Sequence, residues 1–133
     1  MTTALVVGLG NPDRGDDAVG AEVARAVADR GLPRVQVVEH EDPTGLLDVW
    51  AGHDPVVVVD AVRSGGTHAF GLGAAVELAR ALHRLPDRLV VIGVEADTFE
   101  YGAPLSGPVA AAVQPAADRV LAVLAEVSAH VPR

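Results

Sequence analysis

Short apolar runs alternate along the chain with segments of helical periodicity. The runs at residues 4–8, 35–38, 56–59 and 89–94 predict four β-strands. The first and third are apolar at consecutive positions, as is typical of parallel strands that are buried on both faces. The third run leads directly into Asp60, which places this acid at the carboxyl end of a buried strand, where open α/β sheets bind their ligands.

Helical segments follow the apolar runs. The first begins at Asp16, carries valines at residues 19, 23 and 27 on one stripe, and stops at Gly31. Pro43 predicts the first turn of a short second helix, and Thr67 is predicted to cap a third helix that ends near Arg84. Pro108 predicts the start of the last helix.

Alternation of four strands with helices of this length indicates βαβ units with right-handed crossovers. We therefore predict a three-layer αβα sandwich, with a mostly parallel, doubly wound sheet of four main strands in the order 2-1-3-4. At 133 residues the chain can close one hydrophobic core but hardly two, so a single domain over residues 1–133 is expected.

Composition and charge exclude several classes of chemistry. The absence of cysteine removes disulfides, thiolate metal sites and cysteine nucleophiles, and it fits a reducing cytosol. The formal net charge is -8, which suits a nucleic-acid partner badly. No apolar run approaches the roughly 20 residues of a membrane span, and no signal peptide is recognisable, so a soluble cytoplasmic protein with no membrane partner is expected.

The first strand leads into the loop GLGNPDRGDDAVG at residues 8–20, for which three interpretations stay open. A dinucleotide site is disfavoured, because Asp16 and Asp17 occupy the end where a pyrophosphate would bind. The glycines could simply form a tight turn while the two acids cap the next helix. Alternatively, one of these acids shares a cation site with Asp60, since the loops after strands 1 and 3 meet at the switch point of a doubly wound sheet.

His68 would complete such a cation site. It follows Asp60 by eight positions, at the predicted N-terminus of the third helix. A helix N-terminus disfavours the imidazolium form and so favours the neutral imidazole that binds metals. Two carboxylates and one imidazole suit Ni(II), and equally Zn(II), Cd(II) or Mn(II).

Other protease chemistries lack their signatures. The segment HEDPT at residues 40–44 is not H-E-x-x-H, because Thr44 stands at the position of the second histidine. None of the three serines lies in a G-x-S-x-G elbow. The four other histidines are interpreted as ordinary surface residues: His40, His53, His83 and His130.

The order of these motifs resembles the hydrogenase maturation endopeptidases almost from end to end. The matching segments are GLGNPDRGDDAVG, VVVVDAV, THAFGLGAAVELA, LVVIGVEA and APLSGPV. The resemblance implies a phosphorylase/hydrolase-like fold and metal ligation by Asp17, Asp60 and His68, with Asp17 and Asp60 as the catalytic acids. It further implies that the chain removes the C-terminal extension of a NiFe-hydrogenase large-subunit precursor, whose nickel is the recognition element. Two departures from the family are Asp17, which is frequently Glu there, and the short segment AVRSGGT between Asp60 and His68.

Two alternative functions remain. The shortened segment is also consistent with a chaperone that docks the same precursor without cutting it. The GLGNP loop is similar to the start of peptidyl-tRNA hydrolases, but the chain continues with DRGDDAVG in place of their T-R-H-N-type signature. We expect a monomer or a weak homo-oligomer.

Overall fold

A computed structural model describes residues 3–63, 67–68 and 71–129, with the side chains of 67–68 and 128–129 outside the description. Five strands and four α-helices follow in the order β1 (Ala4–Leu9), α1 (Val19–Ala28), β2 (Val35–His40), α2 (Leu46–Val49), β3 (Val56–Arg63), β4 (Thr67–His68), α3 (Leu72–Ala81), β5 (Leu89–Glu95) and α4 (Gly107–Ala129). Short 3-10 turns, Gly15–Ala18 and Pro43–Gly45, precede α1 and α2.

The sheet has the predicted parallel order. Strand β1 pairs in parallel with β2 on one side and β3 on the other, and β3 pairs in parallel with β5. These four strands are the predicted ones, so the order 2-1-3-4 and the αβα class are confirmed. The two-residue strand β4, antiparallel to β3, was not expected.

Two hydrophobic clusters lie between the sheet and the helices on its two faces. On one face, α1 and α4 cover Val57, Val59 and Ala61 of β3. On the other, α2 and α3 cover Val56 and Val58. Successive residues of β3 thus point to opposite clusters, which is why this strand is apolar at consecutive positions. Strands β1 and β3 lie at the centre of the sheet and are buried almost throughout.

The third helix is shorter than predicted. It begins at Leu72, after Gly71 in the left-handed region at φ 90°, and ends at Ala81. The expectation of a helix starting at Thr67 is wrong, because Thr67 and His68 pair with the end of β3 in a hairpin.

The expectation that no apolar segment approaches the length of a membrane span is wrong for helix α4. Its segment Gly107–Val127 is long and apolar enough to cross a membrane by length and composition, with a mean hydropathy of 1.2. Val109, Val120 and Leu124 from this helix are buried in the cluster it shares with α1. A core helix of a soluble protein passes the same test, so the segment does not by itself indicate a membrane protein.

Candidate functional site

Asp17 and Asp60 meet at the carboxyl edge of the sheet. Asp60 lies in β3 one residue beyond Val59, which pairs with Gly8 near the end of β1. Asp17 lies in the 3-10 turn of the first loop (residues 10–18), which follows β1. Their exposed fractions are only 2% and 1% for Asp17 and Asp60, and the charge of Asp17 acts on Asp60. The structure thus brings together two of the three predicted ligands.

Glycines allow the first loop to lie this close to the strand ends. Gly10 has φ +135°, and a Cβ on it would lie 2.2 Å from the backbone oxygen of Asp17. A Cβ on Gly20 would lie 2.4 Å from the backbone oxygen of Leu9 and 2.6 Å from that of Val59. These glycines serve close approach between segments of this chain, which accounts for the motif without a nucleotide.

Burial raises the pKa values of both acids, and the charge of Asp17 raises that of Asp60 further. Desolvation, with the negative charge of Asp17 in addition, raises the pKa of Asp60 to about 7, against the effect of a hydrogen bond from the Ala61 backbone. Desolvation also raises the pKa of Asp17, although the Asn11 N–H donates to its Oδ2 at 2.8 Å. Two buried carboxyls that interact in this way titrate as a pair.

Two arginines flank the acid pair. The charges of Arg14 and Arg63 both act to lower the pKa of Asp17, after the stronger effects of desolvation and of the Asn11 hydrogen bond. Each guanidinium lies over an aromatic ring of the β5–α4 loop (residues 96–106). Arg63 is 4.6 Å from the centroid of Phe99, and Arg14 is 5.0 Å from that of Tyr101. The sequence interpretation missed these four residues, because no local pattern relates them.

His68 reaches the same edge by a different route from the predicted one. Val62 of β3 pairs with Glu95 of β5 on one side and with His68 on the other. On that second side, β1 pairs with residues 56–59 of β3. Strand β4 therefore lies beyond the end of β1, beside the first loop. The argument that a helix N-terminus keeps His68 neutral no longer applies. Its imidazole lies outside the described residues.

The described part of the site offers oxygen ligands. Oδ1 of Asp17 is buried and accepts no hydrogen bond from the described residues. A buried carboxylate oxygen without a donor is a position where a cation would be stabilised. No cluster of three or more His, Asp or Glu side chains occurs among the residues with described side chains, so the three-residue metal site stays a prediction.

Asp16 has a role that the sequence did not suggest. Neither it nor Asp17 makes a side-chain capping bond to the 3-10 turn or to α1, so the capping interpretation is wrong. The Asp16 carboxylate accepts hydrogen bonds from the β5–α4 loop, some 81 to 90 residues away in the sequence. Desolvation alone would raise its pKa, but these hydrogen bonds outweigh it and leave the pKa lowered. Asp16 therefore stays ionised at neutral pH, where Asp60 is partly protonated.

The chain was compared with protein-family models, with known sequences and with solved structures. No protein-family model matches the chain. It is 28% identical over 148 aligned residues to the hydrogenase 2 maturation protease of Escherichia coli (strain K12), covering 92% of this chain and 90% of that protein.

Solved structures agree. The hydrogenase maturating endopeptidase HybD from E. coli superimposes with a TM-score of 0.78 at 23% identity, covering 95% of this chain and 94% of that one. The solution structure of an endopeptidase from Escherichia coli gives 0.82 at 25% identity with the same coverages. In sequence over nearly its whole length and in fold, the chain is similar to the hydrogenase maturation proteases, and the resemblance stated from its motifs is confirmed.

Proposed function

We propose that this chain is an endopeptidase that removes the C-terminal extension of a NiFe-hydrogenase large-subunit precursor. The observation that carries the proposal is the buried acid pair, Asp17 and Asp60, at the ligand-binding edge of a chain similar over 92% of its length to a hydrogenase maturation protease. Such an edge is where doubly wound α/β folds place their chemistry.

Asp17, Asp60 and His68 are proposed to hold a divalent transition ion. The two carboxyls fit such an ion, since both are buried, both have raised pKa values, and Oδ1 of Asp17 has no hydrogen-bond donor among the described residues. When bound, the ion supplies a Lewis acid that polarises a carbonyl oxygen. Nickel inserted in the large subunit is proposed to belong to the substrate, as the element that the edge recognises.

The acid pair can move a proton by itself. Without a bound ion the pKa of Asp60 is about 7, so this carboxyl is close to half protonated at neutral pH. A carboxyl in that range is well matched to general acid–base work, in which it accepts a proton from the attacking water and returns it to the departing amine. We assign that role to the pair as a unit, because the charge of Asp17 helps to set the pKa of Asp60.

The proposed function also indicates the cellular compartment. The chain contains no cysteine, which is compatible with a reducing compartment, and we propose that the precursor is processed in the cytoplasm.

Incubation of the chain with nickel-loaded and nickel-free precursor, followed by intact mass measurement, tests the function. Release of the tail from the loaded precursor alone supports the full proposal. Equal release from both forms would remove nickel from the recognition step. Binding of the loaded precursor without release would contradict the protease and support a docking protein.

Single substitutions test the role of each proposed site residue. Asp17→Asn and Asp60→Asn should each lower the rate by at least about a hundredfold, the usual contribution of a positioned acid or base. His68→Gln should lose both cleavage and binding of Zn(II) measured by calorimetry. His53→Gln is the matched control, because His53 lies before the amino end of β3, at the opposite edge of the sheet. Wild-type behaviour of His68→Gln would show that His68 is an ordinary surface histidine.

A further inference from the structure

Asp16 is a buried carboxylate whose side-chain hydrogen bonds to Asp97, Thr98 and Ser106 all reach one distant loop. Its Oδ2 accepts hydrogen bonds from the backbone N–H groups of Asp97 and Thr98 at 2.8 and 3.0 Å. The Ser106 N–H donates to Oδ1 at 2.7 Å, and the Ser106 hydroxyl donates to Oδ2 at 2.8 Å. Since Asp16 is 0% exposed, these bonds form away from water and hold both ends of the β5–α4 loop.

Backbone contacts continue the same attachment. The Asp16 N–H donates to the Thr98 carbonyl at 2.8 Å, and the Gly102 N–H donates to the Asp13 carbonyl at 2.7 Å. A Cβ on Gly15 would lie 2.9 Å from the Thr98 oxygen, so the two loops are in direct contact there. The first loop and the β5–α4 loop are thus fastened together along their length.

The fastened loop carries the aromatic rings that lie beneath the two arginines. Phe99 and Tyr101 both lie between Thr98 and Ser106, two of the residues that bind the Asp16 carboxylate. The Arg14 Nε–H donates to the Phe99 carbonyl at 3.1 Å, in addition to the ring contact with Tyr101. Tyr101 is 74% exposed, so this side of the site faces solvent. The position of each guanidinium therefore depends on where the loop is held.

We propose that Asp16 is a positioning residue: its carboxylate fastens the β5–α4 loop to the first loop and so sets the orientation of the Arg14 and Arg63 guanidinium groups beside the acid pair. The oriented guanidinium groups present donors to carbonyl oxygens of a peptide that enters the edge. This last part rests on the proposed function. The fastening itself does not, and it can be measured without substrate.

Asp16→Asn is the direct variant. Asparagine has one acceptor oxygen and an NH2 group, which must face a backbone N–H because the donors surround both carboxylate oxygens. Ser106→Ala is a milder variant that removes the hydroxyl donor and keeps the backbone N–H. Val56→Ala is the matched control, since Val56 is fully buried at the amino end of β3, in a cluster that contains no residue of either loop, and its loss destabilises the core on the other face of the sheet.

Nε–H signals of arginine in NMR spectra of the 15N-labelled, metal-free protein provide the readout. We expect the exchange of the Arg14 Nε–H with water to accelerate at least about tenfold in Asp16→Asn, as for a hydrogen bond whose anchoring loop has opened. Ser106→Ala should give a smaller acceleration, and Val56→Ala none. Tyr101, the one tyrosine in the chain, should become more accessible to acrylamide quenching in the same order.

An unchanged Arg14 signal in folded Asp16→Asn overturns the proposal. If that variant does not fold, an unchanged signal in Ser106→Ala overturns it. In the cleavage assay, Asp16→Asn should lower kcat/KM at least about tenfold while Val56→Ala keeps the wild-type value. Absence of cleavage by the wild type contradicts the proposed function and leaves the NMR result to decide the fastening.

Discussion

Replacement of Asp60 by Asn should stabilise the metal-free protein at pH 8 and leave its stability nearly unchanged at pH 4. Asp60 is 1% exposed and lies beside a second carboxyl, so its ionised form is strongly disfavoured in the native state. Asparagine has nearly the same shape and cannot ionise. The variant should therefore lose activity and gain stability, as expected at a site where function is maintained against stability.

The magnitude follows from the difference in pKa between the two states. The native pKa of Asp60 is about 7 and the ordinary value is 3.8. Between these values the native state holds a proton that the unfolded chain has lost, so the free energy of unfolding falls as pH rises and becomes level above about pH 7. At about 1.4 kcal/mol per pKa unit, the full difference corresponds to about 4 kcal/mol.

Urea denaturation in EDTA, followed by the fluorescence of the buried Trp50, measures this effect. The difference in unfolding free energy between Asp60→Asn and the wild type should grow from near zero at pH 4 to a few kcal/mol at pH 8. Asp54→Asn is the control with the opposite sign. Arg88 holds the pKa of Asp54 below its usual value, so that acid contributes stability which is lost as pH falls.

A pH-independent difference between Asp60→Asn and the wild type would refute the reasoning, because it would mean that Asp60 ionises normally in the native state. Loss of stability at pH 8 would refute it as well. Either outcome would also weaken the proposal of a cation site, since a carboxylate that is already stable in its ionised form gains little from a bound cation.

Three further predictions concern packing and the acid pair. Gly20→Ala should destabilise the protein by several kcal/mol, because its Cβ would lie 2.4 Å from the Leu9 backbone oxygen. Gly73→Ala, at a helical position with open space around it, should stabilise the protein by about 0.5–1 kcal/mol, and equal denaturation midpoints for the two variants would contradict this reasoning. Trp50→Phe should cost about 1–3 kcal/mol, since the indole N–H donates to the Arg84 carbonyl at 3.0 Å, and an unchanged unfolding free energy would show that bond to be unimportant. Binding of Zn(II) should strengthen as pH rises through about 7 and release protons from the acid pair; calorimetry in buffers of different ionisation enthalpy measures the release, and its absence would place the ion elsewhere.

The sequence determined the layered α/β architecture. Consecutive apolar positions in β1 and β3 require cover on both faces, and the helical segments between strands supply it, so the parallel order followed from periodicity and crossover handedness. The same logic placed Asp60 at the carboxyl end of β3 and the acid-rich loop next to it, because loops that follow adjacent parallel strands share an edge.

The tertiary structure alone decided what each polar residue does. Asp16 and Asp17 are neighbours with the same side chain, yet Asp16 is surrounded by hydrogen-bond donors of a loop more than 80 residues away, while Asp17 faces Asp60. The strand that carries His68 formed where local pattern predicted a helix, because two backbone pairings to β3 were open beyond the end of β1. Contacts of this kind depend on loop closure across the whole chain, and local propensity carries no information about them.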